Sequence, residues 1–279
     1  MFSNSSVNVA ANENSSWASP GYFYFPALVN AEYMFYRCSS VDSFDNNFTN
    51  ITNCHEMFRL SSITDYVHTN LLPNGPVVNS EIAYLEESSN YRLAQDSGCN
   101  VCMSGMFREC SNLQYAYLSV SSRVDTRIYA PQMFYASMSN GGKVHLRYEF
   151  EYCVLSADEM FRGCRFSSFT TTSGHNFPQL RSARSMFHHS YIGPSLVINS
   201  MPVVEDTTLF ACGCSNLRHA SLNAKTIGYG AFANCIKLDS AYLHLGNGTH
   251  DFSFLFSGSM GGSGYTILSS VELYENNNG

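Results

Sequence analysis

Apolar residues fall at alternate positions in several short stretches of the chain. Leu113 is followed by Ala116, Leu118 and Val120, Leu217 by Ala220, Leu222 and Ala224, and Leu238 by Ala241, Leu243 and Leu245. Period-two alternation marks a strand with one buried face. The pattern predicts strands over 113–120, 217–224 and 238–245. Leu268, Val271 and Leu273 repeat it and predict a further strand over 268–273. About eight residues precede each strand, too few for three helical turns, so they predict a short helical or irregular return.

Those returns repeat. Met106-Phe107-Arg108-Glu109-Cys110-Ser111-Asn112-Leu113, Met160-Phe161-Arg162-Gly163-Cys164 and Ala231-Phe232-Ala233-Asn234-Cys235-Ile236-Lys237-Leu238 share an apolar pair followed by Cys. Weaker copies start at Met34, Met57, Tyr84, Met133, Met186, Phe210 and Leu255. Four residues after each start stands Cys38, Ser61, Ser88, Cys110, Ser137, Cys164, Ser190, Cys214, Cys235 or Ser259, always Cys or Ser. From Cys38 to Ser259 is 221 residues in nine steps, roughly 25 per repeat and within the leucine-rich-repeat range. A second column of small residues, Ala31, Cys54, Ala130, Ala157, Ala183 and Gly228, lies three positions before the pair. Repeats of this kind predict a solenoid, leucine-rich-repeat-like, with a parallel β-sheet and short helical or irregular returns. About ten units would fill residues 27–274, with 1–26 as an N-terminal cap or docking segment and 275–279 as a polar tail.

The Met-Phe-x-x-Cys-x-x-Leu unit, above all Gly230-Ala231-Phe232-Ala233-Asn234-Cys235-Ile236-Lys237-Leu238, resembles the BspA-like leucine-rich repeats of bacterial surface proteins and phage proteins. The resemblance covers about residues 27–274. It implies adhesion or partner binding through a curved solenoid and brings no catalytic residues with it.

Composition narrows the partners. Only 13% of residues are charged, and the formal net charge is −7, with 15 Lys and Arg against 22 Asp and Glu. Such a chain offers no electrostatic footprint for a phosphate backbone, so nucleic acid is not an expected partner. No apolar run approaches the roughly 20 residues that span a bilayer, so no membrane insertion is expected. Met1-Phe2-Ser3-Asn4-Ser5-Ser6 lacks the features of a signal peptide.

The ten cysteines raise the question of metal or disulfide. Cys99-Asn100-Val101-Cys102 has half of a zinc-ribbon spacing with no second half, and the Cys of the repeat column are read as small core residues that stay reduced. His188-His189 and His55-Glu56 are read as surface residues of returns, because no His-Glu-x-x-His accompanies them. No Ser, His and Asp set stands out, and neither catalysis nor a cofactor is expected.

Between the buried strand positions stand Tyr115, Tyr117 and Ser119, then His219, Ser221 and Asn223, then Ser240, Tyr242 and His244. They are expected to face outward on one sheet as a surface for protein or cell-surface carbohydrate. A merely solvated sheet face is the alternative. The expected function is a non-enzymatic binding solenoid on a virion, such as a phage tail or capsid appendage. A bacterial or protist adhesin fragment and an intracellular scaffold are the alternatives. The uncapped pattern at 268–273 adds the expectation of a homo-oligomer or larger assembly.

Overall fold

The structure is a computed structural model that describes residues 28–39, 43–48, 51–63, 66–71, 99–120, 126–147, 150–171, 174–259 and 270–275. Its unit is a tight corner. Tyr33, Phe35 and Arg37 donate their backbone N–H to the carbonyls of His55, Met57 and Arg59 in the next coil at 2.8–3.1 Å. The intervening Met34, Tyr36 and Cys38 donate three residues back, to Ala31, Tyr33 and Phe35. Every N–H of the corner is thereby satisfied, either within the coil or by the coil above it. The corner bends by placing two residues at positive φ, here Tyr33 and Arg37, both at 54°. For residues with a side chain this conformation costs on the order of 1 kcal/mol each, and the inter-coil hydrogen bonds hold it in place.

The same geometry recurs at 31–38, 54–61, 103–110, 130–137, 157–164, 183–190, 207–214, 228–235 and 252–259, nine corners among the described residues. Each is followed by a strand. Five of these, β1 (Ser43–Phe48), β2 (Tyr66–Leu71), β4 (Tyr115–Val120), β6 (Gly142–Arg147) and β8 (Phe166–Thr171), form one parallel sheet in that order. Four more, β9 (Ser195–Met201), β10 (His219–Ala224), β11 (Ser240–Leu245) and β12 (Ser270–Glu275), form a second. Three short strands before the corners, β3 (Val101–Cys102), β5 (Ile128–Tyr129) and β7 (Val154–Ser156), make a third parallel ladder. One helical turn, α1 (Phe150–Cys153), precedes β7. The chain is a repeat solenoid of parallel strands with irregular returns, as its periodicity predicts.

Strand faces follow the alternation. Ala116, Leu118 and Val120 are buried, as are Ala220, Leu222 and Ala224 and Ala241 and Leu243. The strands begin two residues later than the pattern predicts, at Tyr115, His219 and Ser240. Leu113, Leu217 and Leu238 are buried in the bend ahead of them.

Inside the corners runs a column of phenylalanines. Phe35, Phe58, Phe107, Phe134, Phe161 and Phe187 stack with ring centroids 5.1–5.5 Å apart and interplanar angles of 4–14°. All are fully buried. Beside it runs the Cys/Ser column, and here packing is half the explanation. Cys110, Cys214 and Cys235 donate their thiols to the carbonyls of Phe58, Phe187 and Ala211 in the preceding coil at 2.9–3.1 Å. Ser259 donates likewise to Phe232, at 2.6 Å, and Ser190 to Phe161. Cys and Ser each combine small size with a hydrogen to donate at this reach.

Two expectations on organisation change. The corner at 54–61 bonds directly to that at 103–110, with Cys54 donating to Cys102, Glu56 to Ser104 and Phe58 to Met106, and β2 pairs β4. The column therefore has no layer between the Met57 and Met106 coils. The copy at Tyr84 and Ser88, like the segment 1–26 and residues 276–279 of the tail, lies outside the described residues, whereas Glu275, the first residue assigned to that tail, ends β12. The single sheet is in fact two. Strands β4, β6, β9, β10 and β11 each begin five residues after their Cys/Ser position, whereas β8 begins two after Cys164. The missing residues pull β8 out of step: its register against β6 slips between Gly142↔Phe166 and Lys143↔Ser168. Isolated bridges on either side of it, Arg165↔Tyr191 and Asn176↔Ser200, and the edge-on contact of Phe169 with Phe187 at 5.7 Å join it to the next coil.

Candidate functional site

Parallel in-register stacking turns each outward strand position into a column running along the solenoid axis. In the four-stranded sheet His219 lies opposite Ser195 and Ser240, Ser221 opposite Val197 and Tyr242, and Asn223 opposite His244. His219 and Tyr242 are exposed, and Ser221, Asn223 and His244 are half-buried. The His219 Nδ1 stands 2.8 Å from the Ser240 hydroxyl. In the five-stranded sheet Tyr115 lies opposite Lys143, and Tyr117 opposite His145. The Lys143 ammonium sits 5.4 Å above the Tyr115 ring, and the Tyr117 and His145 rings are 5.8 Å apart.

The nine residues expected on one face thus divide between two sheets, Tyr115, Tyr117 and Ser119 on one and the other six on the second. Two of them are not surface residues at all. Ser119 is 2% exposed and Ser240 8%. Each is a short side chain on a strand flanked on both sides, and Ser240 is shaded by the His219 ring that bonds to it. Conversely Lys143, His145 and Val197 belong to these faces. Their signal was present in the alternation of Val144 with Leu146 and of Leu196 with Ile198, all buried.

A second polar surface lies on the outside of the corners. Arg59 bonds both oxygens of Glu56 at 2.9 Å and reaches Glu109 at 3.2 Å. Arg108 bonds Gln132, Gln132 bonds Glu159, and Arg162 pairs with Glu159. The Arg108 and Arg162 guanidinium groups flank the Tyr135 ring at 5.0 and 5.7 Å. This network threads four successive coils and buries His55 and Glu56, contrary to the surface reading of that pair. The next coil covers them: the His55 Nδ1 meets the Ser104 carbonyl at 2.9 Å, and Arg108 stands 4.0 Å from Glu56. The His188 and His189 rings stack at 4.3 Å where the network ends.

The thiols are chemically quiet. All ten cysteines are buried and none is in a disulfide. Burial pushes the Cys110, Cys164 and Cys235 thiols up to about 12. Cys99 and Cys102 join Leu155 in a small satellite core, where burial raises them to about 12 and 11. Among the described residues no three His, Cys, Asp or Glu side chains converge as a metal site would require.

No family model matches the chain, and no curated protein or solved structure is found to be similar to it. The functional reading therefore stands on the surfaces themselves.

Proposed function

We propose that the protein is a non-enzymatic binding solenoid, displayed on a virion or cell surface, that holds a protein or carbohydrate ligand on the outward face of β9–β11. The observation that carries this reading is the set of in-register columns there, His219, Ser221 with Tyr242, and Asn223 with His244. Tyr, His, Asn and Ser offer aromatic area and neutral donors and acceptors at low entropic cost, and the ladder beneath them holds their spacing. Display on a virion or cell surface is supported by the BspA-like pattern of Gly230 to Leu238. The test is binding of the full chain to a glycan array and to intact cells, beside a Tyr242→Ala, His244→Ala variant with an unchanged melting curve. A loss of at least tenfold in the variant supports the reading, and unchanged binding overturns it.

A specific observation favours end-to-end assembly as well. Leu273 is 55% exposed although it pairs in register with Leu243, which is fully buried. β12 is the edge of its sheet among the described residues, and an apolar side chain on such an edge gains from a covering neighbour. A second copy of the chain is the proposed neighbour. Sedimentation should show a concentration-dependent dimer that Leu273→Lys disperses, and a monomer at high micromolar concentration would end the idea.

A further inference from the structure

The segments that lead into the corners lie on the other side of each corner from the strand faces, and they stack as closely. Arg181 donates its backbone N–H to Leu155, and Glu205 donates to Arg181, both at 2.8 Å, so these three residues occupy successive coils in one column. Lys225, just after β10, and Arg127, just before β5, complete the wall of a groove of about 590 Å³ whose apolar lining includes Leu155 and Val203. It gathers three cations and one carboxylate, Glu205, in a chain with net charge −7.

These three cations, like Arg184 and Lys237 elsewhere, stand in no ion pair among the described residues, and what sets them apart is that they share one groove. Arg59, Arg108, Arg162 and Arg218 each stand within 4.0 Å of a carboxylate. Lys143 and Arg165 lie over the Tyr115 and Tyr191 rings. Arg127, Arg181 and Lys225 have no such partner among the described residues, and none of them forms an ion pair with Glu205. Arg127 and Arg181 bracket one spot closely enough that both oppose the upward push of burial on the Cys99 thiol. Three unneutralised cations around one concavity are a ready receptor for negative charge, and a guanidinium can grip a carboxylate or sulfate through two parallel hydrogen bonds.

The order of charges selects the kind of anion. Coils are spaced about 4.8 Å apart, and Arg181, Glu205 and Lys225 succeed one another along the axis as cation, carboxylate, cation. A phosphodiester backbone presents charge at every unit and would be repelled at Glu205. A chain that alternates acidic groups with hydroxyls fits, because Glu205 accepts hydrogen bonds from hydroxyls. The apolar surface of Val203, which is exposed, suits the C–H face of a sugar ring. We infer that this groove binds an acidic oligosaccharide, bearing carboxylate or sulfate groups, along the solenoid axis. The inference rests on the reading of the chain as a binding solenoid and assigns it a second site with a defined ligand class.

The experiment measures binding of the full chain at low salt to four probes: a sulfated tetrasaccharide, a uronic-acid tetrasaccharide, inorganic sulfate and a single-stranded oligonucleotide. Binding of either tetrasaccharide is expected, with the stronger of the two naming the acidic group, and it should weaken steeply as salt is raised. Arg181→Gln with Lys225→Gln should weaken it at least tenfold, whereas Glu205→Gln, which removes a negative charge, should tighten it several-fold. Lys237→Gln, which removes an exposed cation outside the groove, should leave it unchanged, which separates the groove from a general loss of positive charge. Melting curves establish that each variant is folded, and any one of the three readouts suffices if another variant is not. The inference is overturned if neither saccharide binds, if inorganic sulfate competes as well as the saccharide, if the oligonucleotide binds as tightly, or if the groove variants leave binding intact. Loss on Tyr242→Ala with intact groove variants would overturn the groove and leave the sheet-face reading standing.

Discussion

The first six described corners and the last three share a backbone but pack and dress it differently. From Phe35 to Phe187 the apolar pair runs small-to-large in the same order, Met then Phe, and the phenylalanines stack nearly parallel. The seventh corner reverses the order to Phe210-Ala211, and the eighth restores it as Ala231-Phe232. Phe210 stands edge-on to Phe187 and to Phe232, at interplanar angles of 78° and 76°. Its ring fills the volume that Ala211 leaves in the phenylalanine column, and Ala231 leaves room for it in the methionine column. The outer edge changes one corner earlier, where Ser185, His188 and His189 take the charged positions. Glu56, Arg59, Arg108, Glu109, Glu159 and Arg162 give way to Leu209, Cys212, Ala233 and Asn234, and then to Phe254, which is 60% exposed. The Cys/Ser column crosses the boundary unchanged. A small Cys or Ser is therefore kept in every described coil, whereas the shape of the apolar pair is negotiable between neighbours.

The largest test of that contrast is Phe161→Ala. It removes a fully buried ring from the middle of the parallel stack and should cost about 3–5 kcal/mol in chemical denaturation. Unchanged stability would mean that the stack is not the core of the array. Next in size is Ala211→Phe, which forces a second ring beside Phe210 and should destabilise by about 1–3 kcal/mol. Adding Phe210→Ala to it restores the order used by the first six corners and should recover most of the loss. If the double variant is no better than the single, the two residues are not exchanging volume.

A smaller effect isolates what the two regions share. Cys214→Ala deletes the thiol donor to Phe187, whose carbonyl keeps the Ser190 N–H, so the cost should be about 1 kcal/mol. Cys214→Ser keeps a donor and should fall close to the parent in a thermal melt. Equal losses in both variants would make size, not hydrogen bonding, the basis of the column.

The smallest effect lies at the boundary itself. Burial first, then His189 and Arg162, lowers the His188 pKa from the ordinary 6.5 to about 4, against the pull of Glu159. The unfolded chain therefore takes up this proton before the folded one. Stability from this residue is full above pH 6.5 and declines as the pH falls towards about 4. The ring is half-buried, so solvent screening keeps the change to about 1 kcal/mol or less. His188→Gln should flatten the pH dependence of the melting temperature within that window, and an identical profile would show that the proton is taken elsewhere.

Much of the architecture was legible in the chain. The alternation of Ala116, Leu118 and Val120 placed a strand and its buried face, and a column restricted to Cys or Ser marked a small buried position, while its donor role came only from the structure. These are local demands repeated in each coil, and repetition makes them visible. The outward face was legible in part, because alternation says which side a residue takes but not how tall its neighbours are; hence Ser119 and Ser240 are covered. The break between β8 and β9 was not read from the sequence, because a shortfall of a few residues after Cys164 matters only through the register of the strand beside it.

What the sequence by itself determined is the class of the fold, the places of four of its strands to within two residues and the identity of its core columns. Each of those follows from the periodicity of one coil. Which coils are neighbours was decided by tertiary structure, which seats the Met57 coil directly on the Met106 coil. So was the charged edge that runs from Glu56 to Arg162, and so was the groove that gathers Arg127, Arg181 and Lys225 from positions about fifty residues apart. Side chains in adjacent coils lie about 4.8 Å apart in space while some 25 residues separate them along the chain. Only the stacking decides which of them meet.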